Sequence, residues 1–129
     1  MINIKPLKAF TDNYIWLLET NEEVSVVDPG DAKPVLDYLS KTNKNLRDIF
    51  ITHHHFDHTA GVPELENIIS GSIYGPRNSY ELINEKVTQG DTLSSLGIKF
   101  EIIEVPGHTL DHIAFYSEEN NILFCGDTL

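Results

Sequence analysis

The feature that most constrains this chain is the segment Thr52–His58, which reads THHHFDH and carries the spacing His-x-His-x-Asp-His. In extended chain, residues two apart point to the same side, so His53 and His55 can close on one metal ion. Asp57 and His58 are neighbours that face differently, which suits a second ion beside the first. Imidazole and carboxylate together favour zinc, iron or manganese over calcium or magnesium.

Strand ends are the expected positions of these ligands. The apolar run Leu46–Ile51 directly precedes the histidine segment and predicts a short buried strand, which would aim the ligands into a loop. Further along, His108 follows a predicted strand and a Pro-Gly turn, and Asp127 follows another strand and a glycine. His108 can supply a third nitrogen to the first ion. Asp127 has two carboxylate oxygens and can bridge two ions.

Other readings of these residues are weaker. A histidine-rich surface loop that picks up metal by accident would not be matched by ligand residues at two later strand ends. His54 is expected to point away from the ions, His112 to be a structural histidine at a strand start, and Cys125 to be a buried inert thiol. Asp28 and Thr52 are candidates to hold ligand histidines by their second ring nitrogen.

Composition limits the class of protein. The chain has 129 residues, enough for one domain with a core, and 20 acidic against 9 basic residues give a formal charge of −11. Such a surface repels phosphate backbones and anionic lipid, so we expect neither nucleic acid nor membrane as a partner. The single cysteine excludes an intramolecular disulfide, and no signal peptide or membrane span is evident. These features predict a cytoplasmic protein.

Strands and helices alternate in the first half of the sequence, and antiparallel strands follow. Hairpins are predicted over residues 14–28 and 112–125, and a helix is predicted after an N-cap at Asp31. Further helices are predicted over Pro63–Ile69 and Arg77–Glu85, and strands over Ser72–Gly75 and 98–105. This order predicts a mixed α/β layered domain.

Three motifs, in order, resemble those of the metallo-β-lactamase superfamily: the histidine segment, Gly107-His108-Thr109 and Gly126-Asp127-Thr128-Leu129. Within that superfamily the sequence is most similar to type II glyoxalases, the hydroxyacylglutathione hydrolases. The similarity includes the opening segment Thr11–Leu17 and extends over essentially the whole chain.

The resemblance implies an αββα sandwich with two divalent metal ions at one edge of the stacked sheets, with zinc as the expected metal and iron or manganese as the alternatives. His53, His55 and His108 would hold the first ion, Asp57 and His58 the second, and Asp127 would bridge them. Asp57 and Asp127 would be the catalytic carboxylates. The implied reaction is hydrolysis of the glutathione thioester S-D-lactoylglutathione to D-lactate and glutathione.

The resemblance also implies a longer protein. Family members continue past the Gly-Asp-Thr-Leu motif into further strands, another histidine on the second ion and a helical glutathione-binding domain. We therefore expect residues 1–129 to form a metallo-β-lactamase-like domain that is incomplete on its C-terminal side. An incomplete second ion site, weak activity and self-association through the incomplete sandwich are the expected consequences.

Four other functions are compatible with the same residues. A mononuclear iron dioxygenase that acts on glutathione persulfide would use the same first-ion ligands. A lactonase or a β-lactamase would use the same centre on another substrate. A non-catalytic truncated module, in which the site stabilises an interaction domain, is the alternative from a different class.

Overall fold

The computed structural model describes residues 2–9, 13–77, 80–105 and 112–125, which form ten strands and three short or medium helices. The strands are β1 Asn3–Ala9, β2 Asn13–Glu19, β3 Glu23–Val27, β4 Asn45–Phe50, β5 Ile73–Pro76, β6 Glu85–Val87, β7 Thr92–Ser95, β8 Ile98–Glu104, β9 Ile113–Ser117 and β10 Ile122–Phe124. The helices are α1 Ala32–Thr42, α2 Phe56–Thr59 and α3 Val62–Leu65, with a 3-10 turn at Glu66–Ile68.

The strands form two sheets. Sheet A has the order β1-β2-β3-β4-β5-β6, and sheet B has the order β10-β9-β8-β7. In sheet A, β1, β2 and β3 pair antiparallel, whereas β3 to β6 pair parallel. Sheet B is antiparallel throughout. Because β3 and β4 run parallel, the residues that follow them emerge at the same edge of sheet A.

Helix α1 covers the outer face of sheet A. Asp31 caps its N-terminus by accepting a hydrogen bond from the amide of Lys33 at 3.1 Å, which confirms the cap predicted from sequence. At the other end Asn43 adopts a left-handed conformation, and its amide donates to the Leu39 carbonyl at 2.8 Å. Val35 on the buried face of α1 packs into the core between helix and sheet.

A second core lies between the two sheets. Phe50 from β4 stacks on Phe115 from β9 with ring centroids 4.9 Å apart, and it meets Phe100 from β8 edge-on at 5.3 Å. All three rings are fully buried. The fold is therefore layered as helix, sheet and sheet, and the second helical layer of an αββα sandwich has no counterpart among the described residues.

Some predicted elements differ from the structure. The predicted helix over Arg77–Glu85 is wrong, because residues 80–84 form turns and Glu85 already begins β6. The amide of Ile73 donates to the Asn84 side chain at 2.9 Å, which fixes these turns beside β5. The helix predicted over Pro63–Ile69 is split into α3 and the 3-10 turn.

The strand β1 was not predicted, whereas both predicted hairpins are confirmed. Among the described residues, no helix combines the length and the hydropathy that crossing a membrane requires.

Candidate metal site

Asp28, the first residue after β3, lies at the centre of the candidate site. Its backbone is left-handed with φ of 51°, a conformation that aspartate tolerates better than most residues. Its amide donates to the Phe50 carbonyl at 2.8 Å, which fixes the end of β3 beside the end of β4. Asp28 is only 5% exposed, so its carboxylate faces the interior of the protein.

The Asp28 carboxylate accepts hydrogen bonds from the histidine segment. Oδ1 accepts from the backbone amide of Thr52 at 2.7 Å, and Oδ2 accepts from the Thr52 hydroxyl at 2.6 Å. Oδ2 also lies 3.0 Å from Nδ1 of His58, which donates because an ionised carboxylate can only accept. One buried carboxylate thus orients both the start of the segment and the helical turn α2.

These bonds determine the tautomers of two histidines. Thr52 has a single hydroxyl proton, which it donates to Asp28, so its oxygen accepts from Nδ1 of His53 at 2.9 Å. Both His53 and His58 therefore carry a proton on Nδ1. In a neutral imidazole the lone pair then lies on Nε2, which is the arrangement of a metal-binding histidine whose other nitrogen is held by a carboxylate or hydroxyl.

Three imidazole rings, those of His53, His55 and His58, lie close together beside the Asp28 and Thr52 side chains. The centroid of the His53 ring lies 4.3 Å from that of His58 and 4.8 Å from that of His55. Potential ligand atoms of Asp28, His53 and His58 all lie within 4.8 Å of one another. Nε2 of His58 is 3.8 Å from Oδ2 of Asp57, so a second carboxylate borders the rings. Two carboxylates beside three imidazoles favour a bound cation electrostatically.

The structure brings together four of the six residues that the sequence predicts as metal ligands: His53, His55, Asp57 and His58. His108 and Asp127, the other two, lie outside the described residues. His54 is exposed, in agreement with the expectation that it points away.

The local conformation explains how neighbouring residues reach one site. The chain is non-helical from His53 to His55 and then enters the single helical turn α2. The His55 carbonyl accepts from the His58 amide at 2.9 Å and from the Thr59 hydroxyl at 3.2 Å, which closes this turn. Asp57 and His58 therefore project from a helical turn, whereas a loop was predicted after the strand.

Gly61 holds the segment after α2 against the chain that follows Asp28. A Cβ at this position would lie 2.5 Å from the Pro29 carbonyl oxygen and 2.6 Å from the Ala32 amide nitrogen, too close for any side chain. The Gly61 amide donates to the same Pro29 carbonyl at 2.8 Å. The glycine therefore permits a backbone contact that brings α2 beside Asp28.

His112 is the residue at this site that sequence reasoning underestimated. It is 1% exposed, and its ring stacks on His53 with centroids 4.5 Å apart and an interplanar angle of 19°. From the sequence we expect only a structural histidine at a strand start. Its position directly before β9 was the one available signal, because the stack on His53 depends on packing between the two sheets.

The donor set fits a divalent transition metal. Neutral imidazole nitrogens with carboxylate oxygens suit zinc, iron and manganese, and the fixed tautomers leave Nε2 of His53 and of His58 as the nitrogen with a lone pair. Both oxygens of Asp28 already accept hydrogen bonds from Thr52, and one also accepts from His58. We therefore interpret Asp28 as the group that orients the histidines, although its oxygens are near enough to serve as ligands.

Known sequences are similar to this chain over nearly its whole length. The profile described as "Metallo-beta-lactamase superfamily" matches residues 10–129. A protein of Chromohalobacter salexigens named hydroxyacylglutathione hydrolase is 48% identical over 100% of this chain and 52% of its own length. A protein of Pseudoalteromonas translucida with the same name is 49% identical over 100% of this chain and 51% of its own length. The chain thus spans about half the length of the curated relatives that it matches.

Solved structures resemble the whole chain. The crystal structure of the BLEG-1 B3 metallo-beta-lactamase superposes with a TM-score of 0.83 at 22% identity, over 100% of this chain and 73% of that protein. The crystal structure of ETHE1 from Myxococcus xanthus superposes with a TM-score of 0.79 at 25% identity, over 100% of this chain and 58% of that protein. Both superpositions support the layered fold of this chain.

Proposed function

Because this chain belongs to the metallo-beta-lactamase superfamily, we propose that it carries the metal centre of a thioester hydrolase for 2-hydroxyacylglutathione. The substrate would be S-D-lactoylglutathione, and the products would be D-lactate and glutathione. The single observation that carries the proposal is the set of histidine rings oriented by Asp28 and Thr52, in a chain whose curated relatives are named hydroxyacylglutathione hydrolase.

The proposed ligands follow the sequence motifs. His53, His55 and His108 would hold one ion, Asp57 and His58 a second, and Asp127 would bridge the two. Zinc fits this donor set best, and iron and manganese also fit it. Two such ions, when bound, supply hydroxide at neutral pH and a positive charge for the thioester carbonyl oxygen.

The residues of the chain contribute orientation. Asp28 and Thr52 hold the Nδ1 protons of His58 and His53, which keeps Nε2 of each ring as the ligand atom. Burial of His53 excludes water from one side of the centre and strengthens the electrostatic interactions there. The leaving group needs no strong general acid, because a thiol has a pKa of about 8.5 and thiolate departs readily.

The experiment that tests this function is turnover of S-D-lactoylglutathione by the zinc-loaded chain. We expect weak hydrolysis by residues 1–129 alone and strong hydrolysis when they are joined to the second half of the Chromohalobacter salexigens relative. His55→Ala should abolish hydrolysis in the joined protein, whereas His54→Ala, which removes an exposed imidazole from the same segment, should retain most of it.

Other outcomes of that experiment identify other functions. The iron-loaded protein could instead consume oxygen with glutathione persulfide and fail to cleave the thioester. That result would identify a dioxygenase and not a hydrolase. If the joined protein is folded and metal-loaded but has neither activity, the proposal of a catalytic centre is wrong.

We also propose that the chain associates with itself. Ile4, Tyr14 and Trp16 are 41%, 51% and 41% exposed. The register places Trp16 opposite Val27, which belongs to the core between the sheets, so this apolar surface continues that core beyond sheet B. Sedimentation equilibrium should give a mass above that of one chain, and Trp16→Ser should reduce it. A stable monomer would contradict this proposal.

A further inference from the structure

His112 lies between the two sheets beside the candidate metal site. It directly precedes β9 and is buried to 1% exposure, although histidine is polar. Its Nε2 lies 2.9 Å from the carbonyl oxygen of Cys125, the residue that follows β10. A carbonyl can only accept, so Nε2 of His112 donates and carries a proton.

The ring of His112 also supports His53. The two imidazoles are nearly parallel, with centroids 4.5 Å apart and an interplanar angle of 19°. Offset stacking at this distance is a favourable arrangement of aromatic rings. The His53 ring is also held by the hydrogen bond from its Nδ1 to the Thr52 hydroxyl. The hydrogen bond fixes the position of Nδ1, and the stacking fixes the plane of the ring.

The backbone at His112 joins two more strand ends. The His112 carbonyl accepts from the Val105 amide at 2.9 Å, directly after β8. The Ile113 amide donates to the Thr52 carbonyl at 3.0 Å, shortly after β4. Together with the bond to Cys125, these contacts place His112 at the meeting point of the ends of β4, β8 and β10.

In the sequence, the proposed ligands follow those three strand ends. His53 follows Thr52 directly, His108 comes three residues after Val105, and Asp127 comes two residues after Cys125. We propose that His112 is a positioning residue that holds the three ligand-bearing strand ends in register, an inference that rests on the proposed function. It acts through a stacked ring on one side and a donated hydrogen bond on the other.

Two substitutions separate these actions. His112→Phe keeps a flat ring against His53 and loses the donor to Cys125. His112→Gln keeps an amide donor near the position of Nε2 and loses the stack. His112→Leu loses both while remaining apolar and buried. His54→Gln serves as the matched control, since it removes an exposed histidine from the metal-binding segment itself.

The experiment is titration of the full chain with Co²⁺, followed by its visible absorption spectrum and by competition with a chelator. We expect His112→Leu to weaken cobalt binding about tenfold to a hundredfold, as loss of outer-sphere contacts generally does, and to change the spectrum. His112→Phe and His112→Gln should each recover part of the affinity, and His54→Gln should match the unsubstituted chain.

A metal-free readout keeps this inference separate from the proposed function. NMR of the metal-free chain should show a slowly exchanging Nδ1 proton on His53, and His112→Leu should lose it while the fold is retained. If the unsubstituted chain binds no cobalt, the proposed function is wrong and the NMR result decides the role of His112. If His112→Leu does not fold, His112→Phe and His112→Gln decide it. Unchanged affinity, spectrum and Nδ1 exchange in the folded variants would overturn the inference.

Discussion

A single buried carboxylate, Asp28, accepts two hydrogen bonds from Thr52 and one from His58, and it orients His58 directly and His53 through the Thr52 hydroxyl. The histidine spacing alone indicates metal binding, because residues of this type so close together have few other uses. The orienting role of Asp28 was recognisable only as a possibility, since it lies 24 positions before Thr52 in the chain. The stack of His112 on His53 was not predictable, because no local pattern encodes a contact between two sheets.

Replacing Asp28 tests this arrangement at the level of one residue. In Asp28→Asn the amide group can place an N–H toward Thr52 or His58, where an acceptor is needed, so the tautomers of both rings are no longer fixed. We expect zinc affinity to fall about tenfold to a hundredfold. Isothermal titration with zinc measures this. Asp37→Asn removes an exposed carboxylate on α1 that pairs only with Lys33 among the described residues, and it should leave the affinity unchanged. Equal affinities in the two variants would contradict the role of Asp28.

At the scale of elements, the sheets are joined by a buried polar cluster as well as by apolar packing. Ser95 of β7 donates to Oδ2 of Asp48 in β4 at 2.6 Å, and the hydroxyls of Ser95 and Ser25 lie 2.7 Å apart. The Ser72 amide donates to the other Asp48 oxygen at 2.8 Å. Because Ser95 gives its only proton to Asp48, Ser25 is the donor to Ser95. This cluster links β3 and β4 of sheet A to β7 of sheet B.

Ser95→Ala should therefore destabilise the contact between sheets. The substitution leaves a buried carboxylate oxygen and the Ser25 hydroxyl short of a partner. We expect the free energy of unfolding to fall by about 1–3 kcal/mol. Urea denaturation measures the loss. Ser94→Ala on the exposed face of the same strand is the control and should change it by no more than about 0.5 kcal/mol. If both substitutions lower the free energy of unfolding by a similar amount, the buried polar cluster does not specifically stabilise the contact between the sheets.

A second polar cluster joins α1 to β1 and β2. The Glu19 side chain is 2% exposed and lies 3.0 Å from the ammonium groups of Lys5 and Lys44, and it accepts a short hydrogen bond from Tyr38. Burial alone would raise the pKa of Glu19, but the hydrogen bonds from Tyr38, Lys5 and Lys44 outweigh it and hold the pKa below its ordinary value. The unfolded chain therefore binds the proton more tightly than the folded chain.

This difference predicts the acid response. A lowered folded-state pKa means that the stabilisation is fully present above the ordinary carboxyl value of 4.5 and is lost as the pH falls through the folded-state value. Glu19→Gln should lose about 1–3 kcal/mol at neutral pH, and its difference from the unsubstituted chain should shrink on acidification. Thermal melting at a series of pH values below neutrality tests this. A difference that stays constant down to the acid transition would contradict it.

Helices and strands were predicted correctly where neighbouring residues determine them. They were predicted wrongly where pairing with a strand elsewhere in the chain determines them. The hairpins and the capped helix α1 follow from turn residues, alternation and the Asp31 cap. β1 contains Pro6 and two lysines and has weak strand character, and its pairing with β2 is what makes it a strand. Glu85 ends the stretch predicted as a helix, but pairing with β5 makes it the first residue of β6.

At the scale of the whole molecule, the fold class inferred from motif order is confirmed as that of the metallo-beta-lactamase superfamily. The parallel arrangement of β3 and β4 explains why the site forms where it does, since both strands end at one edge and deliver Asp28 and His53 together. Contacts of the His112 and Ile113 backbone and of the His112 ring place the ends of β8 and β10, in sheet B, close to the end of β4. The formal charge of −11 makes a divalent cation there more favourable.

The most direct test of the account is metal content. The purified chain should be stripped with a chelator, dialysed against zinc at low concentration and analysed for bound metal, with His53→Ala and His54→Ala treated in parallel. We predict at least one zinc per chain, with a dissociation constant below about 1 µM, in the unsubstituted chain and in His54→Ala, and loss of that zinc in His53→Ala. A folded chain that retains no zinc, or retains as much in His53→Ala as in His54→Ala, would contradict it.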